Sequence, residues 1–100
     1  MSTFQVLRLS LNKVNRVIET GIVSVNVPKI GKLLTVGFLN GNLCAFYKCH
    51  TTGKMIEQDF LIVRDFQVFS EYQSELYTYV GSANDGHSYY HVFQYNELPF

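Results

Sequence analysis

The residues that could do chemistry are few, and one close-spaced group is Cys44, Cys49 and His50. That grouping superficially suggests a metal site. On a strand running through 43–49, however, Cys44 and Cys49 point to opposite faces and cannot share an ion. There is no second cysteine pair, whereas structural zinc takes four ligands. The same parity makes the two thiols poor disulfide partners. Two buried or half-buried free cysteines are expected, with no metal and no other cofactor.

A second grouping lies near the C-terminus. His91 shares a strand face with Tyr89, Phe93 and Tyr95, and Asp85 and His87 are close by. One reading is a polar group in an aromatic setting, suited to stacking and hydrogen-bonding a ring or base. The other is a histidine satisfied within its own strand face. The candidate ligand- or partner-binding residues are Tyr79, Asn84, Asp85, His87, Tyr89 and His91. The run Gly81–Gly86, GSANDG, could offer backbone N–H groups to a phosphate. No Lys-Ser or Lys-Thr follows it and no helix opens after it, so a hairpin loop is the better reading. The serines lack a nucleophile-elbow context, and no carboxylate pair has a spacing that marks acid–base work. A catalytic role is therefore not expected.

The elements that must position these residues are mostly strands. FQVLRLSL (4–11) alternates, with Leu7, Leu9 and Leu11 on one face. Asn12, the helical spacing of Val14, Val17 and Ile18, and the terminator Gly21 predict one or two helical turns over 12–20. Residues 22–27 follow as a strand with Val23, Val25 and Val27 on one face, and Pro28 to Gly31 reads as a turn. Asn40-Gly41 between LLTVGFL and NLCAFYKC is the preferred pair for a type I′ hairpin. A two-residue turn sets Phe38 opposite Leu43, Val36 opposite Ala45 and Leu34 opposite Tyr47, an apolar face that a one-residue slip would scramble. Residues 57–69 contain another strand, strongest at Phe60–Val63. Ser70–Gln73 has the form of a small capping box. Strands at 75–81 and 87–95 complete the chain, joined by the turn SANDG.

Taken together these elements predict an all-β or β-dominated α+β fold. It would be an antiparallel curled sheet, small sandwich or barrel of about 6–7 strands with one or two short helical turns. One hundred residues fit a single domain over 1–100, long enough for a core without staples. No stretch approaches the ~20 apolar residues of a membrane helix. No apolar run behind basic residues marks a secretory signal, so the expected setting is a reducing cytoplasm.

Charge is balanced but segregated. Residues 1–56 hold seven basic side chains against Glu19, and residues 57–100 hold seven acids against Arg64. Either the halves are neighbouring strands whose charges pair across the sheet, or the surface is dipolar and docks a charged partner or a second copy. The basic residues are too sparse for a nucleic-acid patch. Eight Phe and seven Tyr in so short a chain leave apolar surface to cover, which points to a homodimer or higher oligomer.

The order of segments carries a resemblance. PKIGKLLTVGFLNGNLCAFYK, then DFLIV, then ELYTYVGSANDGHSYYHVFQY is similar to a family of small phage-encoded proteins of unknown function. The matching positions include Pro28, Asn40, Gly41, Leu43, Cys44, Phe60, Ile62, Tyr79, Gly81, His91, Val92 and Phe93, and they span roughly residues 22–95. The resemblance implies an accessory protein made in the cytoplasm of an infected bacterial cell, of a kind that commonly binds and inactivates a host protein such as a defence component. It supplies no catalytic residues. An oligomeric sponge for a nucleotide-like small molecule, and a structural or minor virion protein, are the alternatives.

Overall fold

The computed structural model describes residues 3–96. Seven strands form two antiparallel sheets, with one short helix. In chain order the elements are β1 (Phe4–Ser10), β2 (Gly21–Pro28), β3 (Gly31–Leu39), β4 (Asn42–His50), β5 (Met55–Arg64), α1 (Glu71–Leu76), β6 (Tyr77–Asn84) and β7 (Tyr89–Tyr95). The first sheet runs β1-β4-β3 and the second β2-β5-β7-β6. Among the described residues no helix is long and apolar enough to cross a membrane.

The core is the space between the sheets, filled by the alternating inward positions of both. Leu43, Ala45 and Tyr47 of β4 meet Phe60 and Ile62 of β5 and Val92 of β7, all essentially removed from water. Burying the larger of these, Leu43, Phe60, Ile62 and Val92, contributes roughly 1.5–3 kcal/mol each. Cys49 continues the inward row of β4. Cys44 lies on the opposite face, and both thiols are buried and unpaired, as parity required. Burial pushes the Cys44 thiol up, with the nearby Arg8 charge opposing in part.

The Asn40-Gly41 turn has positive φ at both residues, 53° and 80°, the type I′ signature. Its register is Phe38 with Leu43, Val36 with Ala45 and Thr35 with Phe46, as the alternation requires, but then it shifts. Leu33, not Leu34, faces Tyr47, because an extra residue bulges at Leu34 and returns Leu33 to the core face.

The helical turns expected over 12–20 are absent. That segment is a tight turn in which Val14 and Val17 bridge, with Arg16 at φ 64°. Its apolar spacing is overridden by Asn12, whose side chain is nearly buried and serves the strands instead. Asn12 Oδ1 accepts from the Leu43 amide at 2.9 Å, and its Nδ2 donates to the Val14 carbonyl and to Asn42 Oδ1, both at 2.7 Å.

The helical turn at Ser70 is present. Ser70 Oγ accepts from the Gln73 amide while the Gln73 side chain accepts from the Ser70 amide, a reciprocal capping box. It claims Glu75 and Leu76, so the following strand begins at Tyr77 rather than at 75 and runs through Ser82–Asn84.

The segregated charge becomes a difference between sheets. The strands of the first carry Arg8, Lys32 and Lys48 and no acid. Among the described residues the one carboxylate within 4 Å of a basic side chain is Asp65, against His91 of the same half, so the reading in which the charges of the two halves pair across a sheet does not hold.

Candidate functional site

The outward face of the second sheet gathers the polar chain of the molecule. In a regular strand Tyr79 and Ser82 would point to opposite sides. Here the pairing of β6 with β7 slips at Val80: Tyr79 sits opposite Phe93, Gly81 opposite Val92 and Ser82 opposite His91. The bulge therefore puts Tyr79, Ser82 and His91 on one face. The Tyr79 hydroxyl is 2.7 Å from Ser82 Oγ, which is 2.6 Å from His91 Nδ1, and His91 Nε2 bonds the Asp65 carboxylate. With a carboxylate on Nε2, the ring holds its proton there. In a neutral ring Nδ1 is then the acceptor for Ser82, which leaves Ser82 to accept from Tyr79.

Connectivity of this kind can activate a serine, and it arises here although no local motif announces it. Yet Ser82 is flanked on its other side by Tyr79, and none of the four principal cavities is lined by Ser82 or His91. What the chain visibly does is fix the segment between β5 and α1. Asp65 is tied to His91, and its amide donates to the Tyr89 carbonyl. The Arg64 amide donates to Gln67 Oε1 at 3.0 Å, and the Gln67 amide returns to the Arg64 carbonyl at 3.1 Å. Phe69 folds back onto the sheet, 5.4 Å from Phe93 between ring centroids, and joins a second apolar cluster with Leu61, Val63 and Tyr77.

The consequence is that Phe66 and Val68 are held outward. Phe66 takes a φ of 63°, a left-handed conformation uncommon for a bulky residue. Phe66 is 102% and Val68 93% exposed, and Tyr72 of α1, four residues on from Val68, is 70% exposed. Asp65 and Glu71, in the same stretch of chain, are exposed as well.

Of the residues singled out from sequence, Tyr79 and His91 are brought together. Tyr89 stands exposed on the same face of β7 and pairs with Asn84. Asn84, Asp85 and His87 are not part of the site; they build the β6–β7 turn. Asn84 Oδ1 accepts from Gly86, and Asp85 Oδ1 accepts from the His87 and Ser88 amides at 2.9 and 2.8 Å. Those bonds, Ser88 first and His87 second, hold the Asp85 carboxyl below its ordinary value. Within the run 81–86, the Gly86 amide is spent on Asn84 Oδ1 and the Asp85 amide on the Ser88 carbonyl, which takes them from any phosphate. Asp65, Ser82, Phe66, Val68 and Tyr72 were missed. The available signal was Arg64-Asp65, two charges closing an apolar strand. It marks Phe66 and Val68 as loop residues rather than further strand.

No family model, curated protein or solved structure matches the chain.

Proposed function

We propose that the protein acts by docking on another protein through the segment 65–72, and that in the setting implied by the phage-family resemblance the partner is a host protein of the bacterial cytoplasm that it inhibits. The observation that carries this reading is the full exposure of Phe66 and Val68 on a segment that is otherwise tied down. These side chains contribute nothing to the core, and a partner that covers them would remove two fully solvated apolar groups, two residues apart, from water. Fixing their backbone beforehand lowers the ordering cost of association. The exposed acids of the same segment, Asp65 and Glu71, suit a partner whose apolar pocket is rimmed by basic side chains. Function then lies in binding rather than in catalysis.

The test is paired affinity capture from bacterial lysate with three baits: wild type, F66S/V68S, and I30S, which removes an apolar side chain that is also exposed (78%) but lies on the β2–β3 turn. A partner held by wild type and I30S but lost with F66S/V68S supports the reading. Equal recovery by all three baits overturns it.

A further inference from the structure

At one end of the sandwich the inward positions stop being apolar. Along β5 the inward row passes from Ile62 and Phe60 to Gln58, and along β7 from Val92 to Gln94, which sits opposite Thr78 of β6. Opposite them, from the first sheet, comes Tyr47. The sheets do not close over these residues but leave a cleft of about 740 Å³, within the range of small-molecule sites.

Tyr47 is 3% exposed, yet its hydroxyl has no hydrogen-bond partner among the described residues. A buried hydroxyl without a partner costs roughly 1–3 kcal/mol, and local rules are broken most often where function requires it. Gln58 is half used: its amide nitrogen donates to the Asp59 and Tyr95 carbonyls at 3.0 and 3.2 Å, and its oxygen takes part in no bond among the described residues. Val27, Leu33 and Val80 supply apolar wall, while Lys29 and Lys32 also line the cleft and no acidic side chain among the described residues does.

We propose that this cleft binds a small organic phosphate carrying a polar ring, of the nucleoside monophosphate class. The two lysines take the anionic group, the amides of Gln58 and Gln94 read the ring edge, and the Tyr47 hydroxyl donates to a ligand oxygen. This site is separate from the docking segment and does not depend on that reading.

Binding of AMP, CMP, GMP and UMP is measured by equilibrium dialysis, with inorganic phosphate as a separate arm, for wild type, Y47F and K29Q/K32Q. The expected result is saturable binding of at least one nucleotide, weakened on the order of tenfold in Y47F, the equivalent of about 1.4 kcal/mol, and more in K29Q/K32Q. Y47F without ligand should melt no lower than wild type, because the hydroxyl it loses has no partner in the fold. Failure of all four nucleotides at millimolar concentration, an unchanged affinity in Y47F, or phosphate alone binding as tightly as any nucleotide overturns the assignment. So does a lower melting temperature for Y47F, which would give the hydroxyl a structural role.

Discussion

Gly81 of β6 lies against Val36 of β3, so that a Cβ built on the glycine would stand 2.7 Å from Val36 Cγ2. The contact joins the two sheets directly beside the bulge at Val80, the same irregularity that turns Tyr79 and Ser82 to one face. Val36 is buried and β-branched, and cannot swing aside. G81A should therefore destabilise the protein by about 1–3 kcal/mol through overpacking. Shortening the opposing side chain in G81A/V36A should recover part of the loss, measured by urea unfolding of the single and double variants.

Asn12 supports the turn that replaces the expected helix. N12A leaves the Leu43 amide and the Val14 carbonyl without their side-chain partners, at an expected cost of about 1–3 kcal/mol. N12D retains the acceptor for Leu43 but sets a carboxylate oxygen against Asn42 Oδ1. It should also destabilise, which thermal unfolding of the two variants at neutral pH checks.

The His91–Asp65 bond predicts a local effect rather than a global one. H91A and D65N should each accelerate amide exchange at positions 65 and 67, whose N–H groups tie the docking segment to the Tyr89 and Arg64 carbonyls. Overall stability should fall by no more than about 1.5 kcal/mol, because the bond is partly exposed. Residue-resolved hydrogen exchange by NMR separates the two effects, and unchanged protection at both amides would refute the clamp.

Asp85 gives a pH prediction whose sign follows from its lowered pKa. A carboxyl depressed in the folded state contributes stability that is present above its unfolded value, about 3.9. That contribution is lost as pH falls through the lower folded value. Wild type should thus exceed D85A in melting temperature by a constant margin from pH 7 to about pH 5, and the margin should shrink through more acid solution. Paired melts from pH 2 to 7 read it.

These elements also show where sequence was legible. The β-dominated antiparallel architecture, the Asn40-Gly41 hairpin, the opposed faces of Cys44 and Cys49 and the Ser70 capping box all rest on local chemistry, with turn residues, parity or a four-residue motif sufficient to place them. What escaped depends on contacts remote in sequence. The bulges at Leu34 and Val80 break the period of two that assigns faces, so Leu33 and Ser82 lie where simple alternation does not put them. Asn12 resembles a helix cap until Leu43 and Asn42, some 30 residues on, claim its side chain. His91 was visible as a candidate, but its partners Asp65 and Ser82 reach it through β5–β7 and β6–β7 pairing, which no linear spacing encodes.

Phe66 is the side chain expected to meet the partner first. The most direct measurement places a photo-crosslinking amino acid at position 66, and in a second protein at position 30, and irradiates each in bacterial cells. A discrete crosslinked protein obtained from position 66, absent from position 30 and suppressed by V68S is the predicted result. The same products from both positions, or none from position 66, would contradict it.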